Sequence, residues 1–139
     1  MGYFENSSGE AESSFYSAFE HLDLDLMKAT WHKADDVFCI HPGGPAQTGY
    51  DAVLKHWSYV LGDYQPTTIN YKVISVRNTG KFAIHLVEET IGSEQAIVIA
   101  TNTYINTDNG WRLYSHHASL PPPIKELVKE QDAKPHQVH

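Results

Sequence analysis

The sequence predicts an α+β domain in which N-terminal helices pack on one curved antiparallel sheet. Three observations point there. Apolar residues recur at helical spacing only before Gly62. Beyond it, segments 68–77, 81–91, 95–106 and 110–119 are rich in Ile, Val, Thr, Tyr and Phe, the residues that suit a pleated surface. The turns between them, Asn78-Thr79-Gly80, Ile91-Gly92-Ser93 and Asp108-Asn109-Gly110, are short. Short turns force antiparallel pairing, because a parallel return needs a crossover of about a dozen residues.

Residues 1–9 are small and polar and are expected to fray. From Glu10, Phe15, Phe19, Leu22 and Leu26 form one helical face, with Ala18 between them. Asp23 and Asp25 carry N-cap chemistry and split this run into helices over 10–21 and 24–31. Val37 to His41 reads as a strand, halted by Pro42-Gly43-Gly44-Pro45. Thr48-Gly49-Tyr50-Asp51 resembles a capping box opening a helix that runs to Leu61, with Val53, Trp57, Val60 and Leu61 on one side. The four-stranded meander follows and ends at Pro121-Pro122-Pro123. A short helix over 124–133 and a disordered end complete the reading, so the domain spans 10–120 with a tail over 121–139. A helical layer on such a sheet encloses a cone with one open end, into which every second strand residue points.

With 139 residues, 41% of them apolar, the chain holds one core. Ten Lys and Arg against seventeen Asp and Glu leave a net charge of −7, and no basic run offers a footprint for nucleic acid or an anionic membrane. No apolar stretch approaches the roughly 20 residues of a membrane span. The first ten residues lack a secretion pattern, and a cytoplasmic globule is the expectation. Cys39 stands alone, which excludes an internal disulfide and a thiolate metal cluster. Nine histidines would carry the net charge from −7 to +2 if all were protonated, so behaviour between about pH 5 and 7 should be pH-dependent.

Candidate chemistry lies on the strands. His41 ends the first strand, at the rim of the core, where a near-neutral imidazole could serve as a general base; a histidine satisfied by a backbone carbonyl is the plainer alternative. In the last strand Trp111, Leu113, Ser115, His117 and Ser119 share a face. If the two apolar residues mark the inside, His117 faces the pocket and His116 faces out. Ala96, Val98, Ala100, Asn102 and Tyr104 share another face, on which Asn102 is a polar group that a β-run disfavours. Its amide could donate to a carbonyl or an oxyanion, with Tyr104 beside it. In strand 81–91, Phe82, Ile84, Leu86 and Glu88 oppose Ala83, His85, Val87 and Glu89, and periodicity leaves open which side lines the hollow. Glu88 is the ligand contact expected there, and Trp57 would roof the cone. Cys39 reads as a small buried hydrophobe. No metal site is expected, since no ligand pair has the spacing of a known one.

The runs Phe15 to Phe19, Asp23 to Met27, Trp31, Asp35-Asp36-Val37, His41-Pro42-Gly43-Gly44, Gly49 and Val53 resemble the opening of the nuclear transport factor two-like superfamily. The closing segments Ala100 to Tyr104, Asn109 to Arg112 and His116 to Ser119 resemble its SnoaL-like, polyketide-cyclase-like branch. The resemblance covers residues 10–120. It implies a cone-shaped sheet on helices, no cofactor, and a homodimer formed through the sheet. It also implies roles by analogy with ketosteroid isomerase, a carboxylate base facing an oxyanion hole. His41 stands where the base Asp would be, Asn102 where the oxyanion-hole Asp would be, and Phe15, with Tyr16 beside it, nearest the oxyanion-hole Tyr. Two functions follow as expectations. One is an isomerase, cyclase or dehydratase of small apolar carbonyl compounds, with His41 as base and Asn102 and His117 as donors. The other is a binding or assembly module, since the association domain of calmodulin-dependent kinase ends in a similar His-x-Ser strand.

Overall fold

The computed structural model describes residues 5–63, 65–93 and 96–121. The elements are α1 (Ser8–Glu20), α2 (Leu24–Thr30), β1 (Phe38–Ile40), β2 (Ala46–Thr48), α3 (Tyr50–Asp63), β3 (Ile69–Asn78), β4 (Phe82–Ile91), β5 (Ala96–Thr107) and β6 (Gly110–Ser119). The helices-then-meander order matches the sequence reading, and the segment expected to carry a C-terminal helix lies outside the described residues. β2 is an additional strand, formed where the Pro-Gly loop turns back on β1 (Cys39 opposite Gln47).

Local chemistry explains the helix ends. α1 starts at Ser8, earlier than its apolar spacing suggested, because Ser7 accepts the Glu10 N–H at 3.1 Å. Residues ahead of it are fastened too: Glu5 O accepts the Trp111 N–H at 2.9 Å. Leu22 adopts a left-handed backbone (φ 55°) that closes α1, and Asp23 caps α2 by accepting the Leu26 N–H at 3.0 Å. The chain enters α3 through Gly49 at φ 87°.

The sheet order is β2-β1-β6-β5-β4-β3. All pairs are antiparallel except β1 with β6, which run parallel, so the sheet is mixed. β3 and β2 are its edges. The helices cover the inner face, where Phe15, Phe19, Met27, Trp31, Val53 and Trp57 form the main apolar core with Val87, Tyr104 and Leu113 from the strands. Beyond Ile69, every residue of β3 is exposed.

Two irregularities decide which side chains face the core. β3 shifts register between Val73 and Ser75. In the β5–β6 ladder, Thr103 pairs with Ser115 while Tyr104 pairs with Leu113, which leaves Tyr114 as an extra residue. Such a bulge reverses the inward-outward alternation beyond it.

Candidate functional site

One stripe of α1 carries Ser8, Glu12 and Tyr16, spaced four residues apart, and all three are buried. The stripe faces His85 and Glu89 of β4, Asn102 and Tyr104 of β5, and His116 of β6, all buried as well. Together they form a hydrogen-bonded cluster inside the cone. Glu12 is its hub. One carboxylate oxygen lies 3.0 Å from His85 Nδ1, and the other accepts from the Tyr104 hydroxyl at 2.9 Å and from Asn102 Nδ2 at 3.3 Å. His85 Nε2 lies 2.9 Å from Ser8 Oγ. Tyr16 donates to Glu89 at 2.5 Å and accepts from Asn102 Nδ2 at 2.9 Å. With both donor bonds assigned, Asn102 turns its carbonyl oxygen to His116 Nδ1 at 2.6 Å, so that nitrogen carries the proton.

Burial sets the protonation states. Glu89 is pushed up to about 7 by burial, with the nearby Glu12 carboxylate adding to the effect and the Tyr16 hydroxyl opposing it. Tyr16 and Tyr104 are raised well above the usual phenol range by burial, then chiefly by Glu89 and Glu12 respectively. Burial, with His41 nearby, lowers His116 to about 3. The same cause, with His56 nearby, lowers His41 to about 4. Both imidazoles are neutral at neutral pH.

His41 sits at the rim, partly exposed. Its ring lies 4.7 Å from that of Trp57, 4.8 Å from His56 and 5.9 Å from His116. A continuous line therefore runs from His41 through His116 to Asn102. Trp57 is wholly buried against Phe15 (5.5 Å) and Phe19 (5.1 Å), so it is a core residue bordering the line. Cys39 is buried 3.6 Å from His41 Nε2, and burial pushes its thiol up, away from thiolate chemistry.

The structure thus brings His41, Trp57, Asn102, Tyr104 and Tyr16 together, and it corrects two placements. His117 is exposed and His116 is buried, the reverse of the expectation, because the Tyr114 bulge shifts the phase of β6 midway. Strict alternation from Trp111 and Leu113 could not register that extra residue. Glu88 lies on the outer face of β4, opposite Lys72, while its neighbour Glu89 points inward. Residues that sequence reasoning missed are Ser8 and Glu12, while the face of β4 carrying His85 and Glu89, left open by periodicity, is the inner one. The signal for the first two was their four-residue spacing with Tyr16, hidden by starting the helix at Glu10. Among the described residues no group of three or more His, Cys, Asp or Glu is placed to hold a metal ion. No described helix is long and apolar enough to cross a membrane. A surface groove of about 960 Å³, bordered by Lys28, His32, Lys33, Tyr50 and Arg112, shares no lining residue with the cluster.

A curved sheet on helices, with a polar cluster at its centre, defines a class, and the SnoaL-like domain matches this chain over residues 10–123. The chain belongs to that family, within the nuclear transport factor two-like superfamily. Among solved structures, it is 32% identical to a proposed calcium/calmodulin-dependent protein kinase type II association domain from Thiobacillus denitrificans (86% of this chain, 98% of that one, TM-score 0.82). It is 28% identical to a proposed dehydratase of the NTF2-like family from Streptomyces avermitilis (83% and 94%, TM-score 0.76). A ketosteroid isomerase-like protein from Erwinia carotovora atroseptica, at 19% identity (83% and 94%, TM-score 0.63), shares the fold. A curated relative, the Arabidopsis thaliana F-box protein SKIP8, is 21% identical over 108 residues, 78% of this chain but 47% of that protein. The match thus spans about half the length of that relative.

Proposed function

We propose that the cone is a cofactor-independent proton-transfer site for a small, largely apolar carbonyl compound, used as an isomerase, cyclase or dehydratase would use it. One observation carries this reading: two carboxylates, two histidines, two phenols and an amide share one buried network. Burying an ionised carboxylate costs several kcal/mol, and apolar residues of the same volume would make a more stable core. A cluster this expensive, with perturbed protonation, is the pattern of a functional site.

Within it, Glu89 is the proton acceptor, because its pKa of about 7 suits acid–base work at neutral pH. That moves the base from His41, which at about 4 is a weak proton acceptor. Glu89 takes the proton from the carbon beside the carbonyl, and the electron pair of the broken C–H bond flows into an enolate. On ligand entry Asn102 exchanges its bond to Tyr16, and Tyr16 its bond to Glu89, for hydrogen bonds donated to the enolate oxygen, where water exclusion strengthens them. Glu89 then returns the proton. The similarity to a proposed dehydratase supports the reading. Separately, the single buried thiol, Cys39, suits a reducing, cytoplasmic setting.

Deuterium uptake from D2O into a panel of small ketones, followed by NMR, tests this. The wild-type protein should exceed buffer, and Glu89→Gln should lose about 100-fold or more. A wild-type rate equal to buffer overturns the reading.

A second reading rests on a different surface and is compatible with the first. Ile84 and Ile97, on the outer face of the sheet, are 45% and 46% exposed. A homodimer formed through that face would cover them, and the similarity to a proposed association domain supports an assembly role.

A further inference from the structure

On the β3 side a gap in the helical cover leaves a single ring over the cluster. Tyr71 of β3 stands opposite Glu89 in the ladder and shares its inward face. Its ring stacks on Tyr16 at 4.3 Å with planes 20° apart. Tyr16 is 2% exposed and Tyr71 is 36% exposed, so one side chain separates the Tyr16–Glu89 pair from solvent on this side.

The gap arises from how the helices meet the edge strand. α1 is tied to β3 at its start, where Glu20 accepts the Ile69 N–H at 2.8 Å. Further along, Val73 and Val76 pair with Val87 and His85 and so face the same way, yet they are 40% and 52% exposed. An uncovered apolar strip therefore runs from Tyr71 along the inner face of β3.

We propose that the cone opens between α1 and β3, that Tyr71 is its cover, and that the ligand is a planar aromatic or conjugated carbonyl compound whose ring takes the place of Tyr71 on Tyr16. This rests on the proton-transfer reading and narrows its substrate class. Rotation of one half-exposed side chain uncovers the site without moving the backbone. A flat ring restores the stack that Tyr71 gives up, whereas a saturated, globular ligand does not. Val73 and Val76 then take the apolar remainder, and the carbonyl oxygen lies towards Asn102 and Tyr16.

The test compares 2-acetylnaphthalene, a planar ketone, with camphor, a globular one, by NMR titration. While Tyr71 covers the Tyr16 face, it lowers the fraction of protein ready to bind, so Tyr71→Ala should bind the naphthyl ketone about tenfold more tightly than the wild type. Camphor, which cannot restore the stack on Tyr16, should bind at least about tenfold more weakly than the naphthyl ketone to every form of the protein. Tyr71→Phe keeps the stacked ring and should bind as the wild type does. If Tyr71→Ala does not fold, Tyr71→Leu should tighten binding in the same direction. Naphthyl-ketone binding that is unchanged or weaker in the Ala and Leu variants overturns the entrance, and camphor binding as tightly as the naphthyl ketone overturns the planar ligand class. Tighter binding without any deuterium uptake would leave the entrance standing and remove the proton-transfer reading.

Discussion

Burial favours the neutral forms of Glu89, His41 and His116, and that links stability to pH with opposite signs. Glu89 titrates near 7 in the folded protein and near 4.5 when unfolded, so between these values the folded state holds the extra proton and stability falls as pH rises. The histidines behave in reverse. Their folded values of about 4 and about 3 lie below the ordinary 6.5, so stability is lost as pH falls from 6.5 towards 3. Two histidines outweigh one carboxylate below 6.5, which places the stability maximum near pH 6.5. Urea unfolding across pH should show it as a shallow plateau, because above pH 6.5 the remaining loss from Glu89, about 1 kcal/mol, is offset by the remaining gain from the histidines. Glu89→Gln should steepen the acid limb, from a net of about one proton to about two between pH 4.5 and 6.5; an unchanged profile would mean that Glu89 titrates normally.

Among the elements, β6 does the most to arrange the site. Its bulge at Tyr114 turns His116 inward to Asn102, and its parallel pairing with β1 sets Cys39 beside His116. Its first residue fastens the N-terminus. Gly110 has φ 99°, and a Cβ there would come within 2.7 Å of Glu5 O and 2.8 Å of Glu5 N. Gly110→Ala should therefore cost about 2 kcal/mol, from the strained backbone and the displaced Glu5 segment. Chemical denaturation measures this directly. A wild-type midpoint would show that residues before Ser7 yield without loss.

For the whole molecule, the outer face of the sheet mixes apolar and charged residues. Ile84 and Ile97 are exposed there, and Lys72 stands opposite Glu88 on the same side. If copies associate through this face, native mass spectrometry should give a dimer. Ile84→Lys combined with Ile97→Lys should give a monomer with an intact fold, since neither side chain belongs to the core. A wild-type monomer at micromolar concentration would remove the dimer reading while leaving the interior cluster as it is.

The helices, the meander and its turns were legible from spacing and turn residues alone, because helical and strand periodicities are local properties of the chain. So were His41 at a strand end and Asn102 on an inward face. Sequence periodicity left the phase of β4 undecided; α1 decides it by placing Glu12 against His85 and Tyr16 against Glu89. It misjudged the phase of β6, since one extra residue in a ladder is defined by the partner strand and leaves no mark in alternation. The long-range carboxylate cluster was equally invisible. Its bonds between α1 and the sheet join residues 73 to 92 positions apart, and only the folded packing of α1 on the sheet brings those groups together and sets their protonation.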